Sequence, residues 1–163
     1  MPGIDEFLLF RSLNFALLTI SDTQNPETDM VGDCLTARIQ LAGHRLKYRQ
    51  LVANKAFEIT ETVSGWSRSD GVDVVITNGG TGLEGQYITI EILPPLFQKT
   101  LDGFSVLFHK FGCGSGGSTT QQFRACAGLI DHTFVFCLPG SAETVKQIWD
   151  DIIRDALDSR YRP

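Results

Sequence analysis

Residues 72–82, VDVVITNGGTG, decide the fold of this chain. The short run of β-branched apolar residues predicts a buried strand, and the glycines after it predict a tight turn. The segment that follows, LEGQYITIEILPPLF, can become helical from about Thr89, until Pro94 and Pro95 kink or stop the helix. The sequence therefore predicts a strand, a glycine-rich turn and a helix, in that order.

The turn itself has the composition of an anion-binding loop. Gly79, Gly80 and Gly82 carry no Cβ, so the backbone can take left-handed conformations and approach a ligand closely. Amide groups in such a turn can converge on an anion, and the hydroxyl of Thr81 adds a donor. A glycine-rich connection that binds nothing has the same pattern, so the turn alone leaves both interpretations open.

Length and composition indicate one globular domain. The chain has 163 residues, of which 42% are hydrophobic and 20% charged, and its net charge is −5. No basic cluster of the kind that binds nucleic acid occurs in the sequence. Asp5, Glu6 and Arg11 interrupt the apolar N-terminal residues, which argues against a signal peptide or a membrane span and favours a cytoplasmic location. We expect a single domain over residues 1–163, with residues 1–12 as a loose leader.

The rest of the chain alternates strands with amphipathic helices. Further strands are predicted at residues 15–20, 44–51 and 133–137, and helices at 29–42, 54–66, 101–111, 121–127 and 142–157. Asn54 is the expected N-cap of the second helix. Strands separated by helices of this length predict right-handed crossovers, and therefore a three-layer αβα domain with a mostly parallel central sheet.

A second strand–turn–helix corner lies near the C-terminal end. The strand at 133–137 continues into Leu138-Pro139-Gly140-Ser141 and then into the last helix. Parallel strands that end at the same edge of a sheet would bring this turn and the GGTG turn to one ligand crevice. An ordinary capped helix is the alternative for this second corner.

The four cysteines contain no C-x-x-C pair. This spacing suggests neither a zinc site nor a redox motif, so we expect free thiols.

Five motifs occur in a fixed order: GGTGL, ILPPLF, DGF, STTQQ-x-RA-x-AG and LPGSAETV. In this order and spacing they resemble the molybdenum cofactor biosynthesis protein B family, the MoaB/MogA-type molybdopterin-binding domain, over nearly the whole chain from Asn14. The resemblance implies a molybdopterin-binding α/β domain that assembles as a trimer or as a pair of trimers, a hexamer. In catalytic members the phosphate of the pterin attacks the α-phosphorus of ATP, with magnesium, and gives adenylylated molybdopterin.

The resemblance also implies which positions bind molybdopterin. The two turns supply Gly79, Gly80, Thr81 and Gly82, and Pro139, Gly140 and Ser141. Four polar residues are placed near the pterin or its phosphate: Ser21, Asp29, Ser118 and Thr119. Because hydroxyls and aspartates near helix starts usually act as caps, a capping role is the alternative for these four.

The aspartates of the catalytic relatives are missing from this chain. The resemblance places one at Tyr87 and the other at Ala53 or its neighbour Asn54. Loss of both carboxylates removes the groups best suited to hold magnesium and to stabilise the charge of phosphoryl-type transfer. Glu84 and Glu91 lie nearby in the sequence and are the candidates to compensate.

Two hypotheses of function follow. In the first, the chain binds molybdopterin through the GGTG and LPGS turns, with impaired or no adenylyltransferase chemistry. In the second, it is an active molybdopterin adenylyltransferase that uses Mg-ATP with Glu84 or Glu91 as the compensating carboxylate. The uncharged residues at the aspartate positions favour the first. Other nucleotide-binding mechanisms are poorly supported, because the chain has no G-x-G-x-x-G after its first strand and no G-K-[ST].

Overall fold

The computed structural model describes residues 3–69, 71–111 and 124–162. Strands in these ranges are β1 (Gly3–Ile4), β2 (Asn14–Ile20), β3 (Arg45–Val52), β4 (Val74–Asn78), β5 (Lys99–Thr100), β6 (Cys126–Ile130), β7 (Thr133–Leu138) and β8 (Tyr161–Arg162). Helices are α1 (Met30–Leu41), α2 (Ala56–Arg68), α3 (Thr89–Ile92), α4 (Asp102–Phe111), α5 (Ala142–Ile148) and α6 (Arg154–Ala156). A π-helical turn, Trp149–Ile153, joins α5 to α6.

Within the described ranges, six strands form the central sheet in the order β3-β2-β4-β7-β6-β5. Strands β3, β2, β4 and β7 run parallel to one another. Strands β6 and β5 extend the sheet in antiparallel pairing. The sheet is therefore mostly parallel, as the sequence predicts.

Both faces of the sheet are buried beneath helices. In β2, Phe15 and Leu17 face the core shared with α1, α4 and α5, whereas Ala16 and Leu18 face the core shared with α2. All four side chains are fully buried. A parallel sheet covered on both faces needs such a continuous apolar strand rather than an alternating one. The predicted three-layer αβα architecture is confirmed.

The predicted last helix is confirmed as a continuous unit of α5, the π turn and α6. The π turn begins at Trp149, whose buried indole packs against Phe15 with ring centroids 5.7 Å apart. Ile152 and Ile153 of the same turn are also buried. The wider π turn thus brings these side chains to the core within one turn of helix.

The helix predicted at 121–127 is wrong over the described residues 124–127. Cys126 begins β6, which pairs antiparallel with β7 from Cys126 opposite Cys137 to Ile130 opposite Thr133. The two strands are joined by a short turn in which Asp131 takes a positive φ of 53°. Strand pairing across this hairpin overrides the local pattern, because small and apolar residues such as CAGLI suit either element.

The capping role expected for Asn54 is also wrong. Helix α2 begins at Ala56, and its N-cap residue Lys55 makes no side-chain capping bond. Asn54 instead binds Asp22 in the loop after β2. The helix predicted from Thr89 is present but short, and a 3₁₀ turn, Pro94–Leu96, follows it.

The first and last described residues lie together. Strand β1 pairs antiparallel with β8, and the backbone N–H of Arg11 donates to Ser159 Oγ at 2.9 Å. Part of the N-terminal segment is therefore hydrogen-bonded to the C-terminal residues. In the described ranges, no helix has the length and apolar character that crossing a membrane requires.

Three of the four cysteines lie in the described ranges, and all three are free thiols, as expected. Cys137 is completely buried opposite Cys126. The hydrogen bond between the Cys137 and Cys126 thiols, together with burial, raises the pKa of the Cys137 thiol. It is therefore a core residue and not a reactive thiolate.

Candidate ligand-binding cleft

A cleft with a volume of about 760 Å³ lies at the carboxyl ends of β2, β4 and β7. Four loops contribute to its lining: the segment from Ser21 to Gln24 after β2, Asn54 after β3, the GGTG turn and the residues that follow it after β4, and the LPGS turn after β7. Because these strands are parallel, their carboxyl ends share one edge of the sheet. The two turns that the sequence predicts to meet therefore lie on one crevice.

The GGTG turn begins with two glycines in left-handed conformation. Gly79 has φ of 92° and Gly80 has φ of 69°. A Cβ on Gly79 would overlap the carbonyl oxygen of Ile20, and a Cβ on Gly80 would overlap Oγ1 of Thr89. The backbone N–H of Gly79 donates to the carbonyl of Leu138 at 2.9 Å, which ties the turn to β7. Glycines in this conformation let the backbone approach a ligand closely, and the amides of such a turn can converge on an anion.

The LPGS turn packs directly against the GGTG turn. A Cβ on Gly140 would lie 3.3 Å from the Cα of Gly79, so the two backbones approach closely at a glycine. The Ser141 hydroxyl accepts from the N–H of Thr144 at 3.4 Å and so caps α5. Pro139, Gly140 and Ser141 all line the cleft.

Asp29 lies beneath the cleft and does not line it. Its carboxylate is buried, accepts from the N–H of Gly32 at 2.9 Å, and so caps α1. It also accepts from the Thr19 hydroxyl at 2.7 Å and from Arg49 at 3.1 Å. Thr19 accepts in turn from Asn78 Nδ2 at 3.0 Å. Asp29 thereby supports the residue that precedes the GGTG turn.

Ser21 lines the cleft and shapes the loop after β2. Its hydroxyl oxygen accepts from the backbone N–H groups of Thr23 at 3.2 Å and Gln24 at 3.1 Å. Ser118 and Thr119, the other two polar candidates, lie outside the described residues.

The two candidate compensating carboxylates have different positions. Glu84 lines the cleft as an exposed side chain that accepts from Gln86 Nε2 at 2.6 Å. Glu91 does not line the cleft and forms an ion pair with Arg124. The structure therefore places Glu84 at the cleft and Glu91 outside the cleft lining, beside Arg124.

Asp22 is a cleft residue that the sequence reasoning missed. Its Oδ1 accepts from the backbone N–H of Asn54 at 2.9 Å, and its Oδ2 accepts from Asn54 Nδ2 at 3.1 Å. The signal available in the sequence was its position in a polar loop directly after a buried strand. Its pairing with Asn54 joins the loop after β2 to the loop after β3.

For the magnesium that the resemblance implies in catalytic members, the described cleft lining offers two carboxylates, those of Asp22 and Glu84. Across residues 3–69, 71–111 and 124–162, no group of three or more His, Cys, Asp or Glu side chains converges on one point. Both oxygens of Asp22 already accept hydrogen bonds from Asn54, and Glu84 is turned to Gln86. No catalytic step through magnesium follows from these residues.

A protein-family model described as a probable molybdopterin binding domain matches residues 16–159. The chain belongs to this family. Relatives named molybdenum cofactor biosynthesis protein B include that of Escherichia coli, 36% identical over 154 residues, with 94% of this chain and 91% of the relative covered. That of Bacillus subtilis is 35% identical over 138 residues, with 84% and 81% covered.

Solved structures of the family have the same fold. A crystal structure of molybdenum cofactor biosynthesis protein B has a TM-score of 0.87 and 33% identity, with 90% of this chain and 92% of that chain covered. The tungsten cofactor synthesizing protein MoaB from Pyrococcus furiosus has a TM-score of 0.79 and 30% identity, with 90% and 93% covered. The MoaB/MogA-like fold and the membership inferred from the motifs are both confirmed.

In this member of the molybdopterin-binding family, the positions expected to hold aspartates contain neutral side chains that shape the cleft. The ring of Tyr87 covers Gly82, where a Cβ would lie 2.6 Å from Tyr87 Cδ2. Asn54 lines the cleft as well, and its buried Oδ1 has no hydrogen-bond partner among the described residues. That oxygen lies close to Gly80, at 2.8 Å from where a Cβ would be. Ala53 does not line the cleft.

Proposed function

We propose that this chain binds molybdopterin in the cleft and that its adenylyltransferase chemistry is impaired or absent. The observation that carries the proposal is the contact between Gly79 and Gly140, which joins two backbone turns on one crevice. Family membership supplies the ligand class.

The phosphate of the pterin would bind the amides of the GGTG turn. The positive φ of Gly79 and Gly80 lets the backbone of the turn approach the phosphate, and Thr81 adds a hydroxyl at the cleft. The described lining residues include Asp22 and Glu84 but no Lys, Arg or His. Backbone N–H groups, rather than basic side chains among these residues, would therefore stabilise the anion.

The flat pterin ring would bind beside the apolar part of the lining. Ile20, Val31 and Tyr87 contribute apolar surface to the cleft. The unpartnered Oδ1 of Asn54 offers an acceptor for a ring N–H. Small-molecule sites commonly combine an apolar wall with a few polar groups that fix orientation.

The neutral side chains at the aspartate positions support binding without transfer. Attack on a phosphorus atom depends on electrostatic stabilisation and on positioned metal ions. Tyr87 and Asn54 supply neither charge nor a metal-binding carboxylate. Glu91, the other candidate to compensate, forms an ion pair with Arg124.

The second candidate is an active molybdopterin adenylyltransferase, with Mg-ATP as co-substrate. The observation that favours it is that the carboxylates of Asp22 and Glu84 both line the cleft. In this case one of them would replace the missing aspartates.

Incubating the protein with molybdopterin, ATP and magnesium, followed by mass analysis, separates the two candidates. We expect bound molybdopterin to be recovered without adenylylated product. Product that forms with the wild-type chain and is lost in Glu84→Gln or Asp22→Asn would establish the second candidate instead. Glu61→Gln, an exposed substitution on α2, is the matched control.

The proposal includes assembly as a trimer or hexamer, which the family resemblance implies. Helix α4 carries three large apolar side chains that solvent reaches: Val106 at 66%, Leu107 at 40% and Phe111 at 38% exposure. A contact between copies of the chain would remove this apolar surface from water.

A further inference from the structure

Arg124 is the first described residue before β6, and its side chain reaches the GGTG turn. Its Nε donates to the carbonyl of Thr81 at 3.0 Å, and its Nη2 donates to the carbonyl of Gly82 at 2.6 Å. Its Nη1 forms the ion pair with Glu91, the residue on α3. One guanidinium thus joins the turn, α3 and the beginning of β6.

We infer that Arg124 is a positioning residue, which orients the amides of the GGTG turn toward the ligand phosphate without contacting the ligand. The inference rests on the proposed function, since it concerns how the same cleft binds molybdopterin. Arg124 does not line the cleft, whereas Thr81, Gly82 and Leu83 do.

Peptide geometry explains how Arg124 acts at a distance. In a trans peptide the C=O of one residue and the N–H of the next point in opposite directions. With the carbonyls of Thr81 and Gly82 bound to the guanidinium, the N–H groups of Gly82 and Leu83 point away from it. The guanidinium therefore fixes the two peptide planes on either side of Gly82, whose backbone torsions are not restricted by a Cβ.

Arginine suits this role better than lysine. Its planar guanidinium offers several N–H donors in a rigid fork, so it can bind two carbonyls and a carboxylate together. A lysine ammonium keeps the charge but not this planar arrangement. If only the positive charge mattered, arginine and lysine at position 124 would support ligand binding equally well. A positioning role requires the planar, forked guanidinium.

Glu91 orients the guanidinium from the other side. Its side chain is 52% exposed and that of Arg124 is 27% exposed, so the ion pair itself adds little to stability. We expect Glu91 to act by holding the Arg124 side chain in the direction of the turn. Its loss should therefore weaken ligand binding less than the loss of Arg124.

The test is anaerobic titration of wild-type protein and variants with two probes: molybdopterin, and the same pterin after removal of its phosphate. We expect Arg124→Gln and Arg124→Lys to weaken molybdopterin binding by about tenfold or more, and Glu91→Gln by about threefold. Binding of the dephosphorylated pterin should change less than twofold, because the amides that Arg124 orients contact only the phosphate.

Arg38→Gln is the matched control. Arg38 is 21% exposed and pairs with Asp150, and it does not line the cleft. We expect wild-type affinity from this variant, and midpoints of thermal unfolding for the Arg124 variants close to that of the control.

The outcomes separate the inference from the proposed function. If the wild-type chain fails to bind molybdopterin, the proposed function is wrong. If the wild-type chain binds it and Arg124→Gln binds equally well, the positioning role is wrong. Full rescue by Arg124→Lys, or equal weakening for both probes, would also overturn it. If Arg124→Gln does not fold, Arg124→Lys and Glu91→Gln provide the same comparison.

Discussion

Gly80 is a residue of the GGTG turn at which substitution is strongly constrained. Its φ of 69° suits glycine, and an added Cβ would overlap Thr89 Oγ1 and lie 2.8 Å from Asn54 Oδ1. The carbonyl of Gly80 also accepts from the N–H of Thr89 at 3.1 Å, at the start of α3. The turn and the short helix after it therefore depend on one residue without a side chain.

Gly80→Ala should lower the free energy of unfolding by about 2 kcal/mol, from left-handed strain and the overlap with Thr89. Urea unfolding measures the change. The control is Gly65→Ala, an exposed position on α2 with open space around its Cβ, where alanine should add about 0.5–1 kcal/mol. Equal stability of Gly80→Ala and the wild-type chain would contradict the geometry of the turn.

His44 links the stability of the fold to pH. The imidazole is buried between Phe10 and Phe15, and its Nδ1 accepts from the N–H of Leu13 at 3.1 Å. Burial lowers the pKa of His44, and the nearby carboxylate of Asp158 opposes part of this shift. Protonation at Nδ1 would remove the hydrogen bond from Leu13.

Because the unfolded chain binds this proton more readily, His44 should add stability above the ordinary histidine pKa of about 6.5. That contribution should be lost as the pH falls from there through the lowered folded value. Thermal unfolding between about pH 8 and pH 5 measures it, and His44→Gln should show a shallower pH dependence in this window. The lowered pKa of Asp158, which arises mainly from its bond to Arg160, acts at more acidic pH. An unchanged slope in His44→Gln would exclude this role.

At the level of elements, α1 is attached to the sheet through Asp29. This carboxylate caps the helix, binds Thr19 of β2, and pairs with Arg49 of β3. Arg49 also pairs with Asp33, which is 64% exposed in contrast to 2% for Asp29. The two aspartates share one arginine but differ in burial.

Asp29→Ala should lower the free energy of unfolding by about 3 kcal/mol, because it removes a cap and leaves buried donors without a partner. Asp33→Ala should lower the free energy of unfolding by no more than about 0.5 kcal/mol, as expected for an exposed ion pair. Chemical denaturation of both variants gives the comparison. Similar costs at the two positions would show that burial of the Asp29 network is unimportant.

The elements also show which parts of this structure are predictable from sequence. Strand β2 and helix α1 follow from local apolar patterns, since one is a buried run and the other has helical spacing. Strand β6 was missed because its pairing with β7 is a contact between chain segments, which a local pattern does not contain. The pairing of Asp22 with Asn54 and the reach of Arg124 to Thr81 depend on spatial neighbours 32 and 43 residues apart.

At the level of the whole molecule, it was predictable that both turns lie at one edge of the sheet, because parallel strands end at the same edge. Their direct contact also requires β4 and β7 to be neighbours in the sheet, an order that the sequence did not predict. The contacts that shape the cleft, such as Tyr87 against Gly82, were not predictable because they require the three-dimensional path of the loop.

Assembly is the prediction that belongs to the whole molecule. Sedimentation of the wild-type chain should give three or six copies, and Val106→Asp should shift the distribution to monomers by placing a charge on the apolar surface of α4. Phe57→Asp is the control, because Phe57 is 77% exposed on α2, away from this surface. A wild-type monomer would contradict the proposed assembly.

The most direct test of the proposed function is anaerobic titration of the purified chain with molybdopterin. We predict saturable binding with a dissociation constant of about 1 μM or lower. Thr81→Val should bind about tenfold more weakly, while the control Thr62→Val on α2 should bind as the wild type does. No saturable binding by the wild-type chain, at concentrations about a hundredfold higher, would contradict the proposal that the cleft binds molybdopterin.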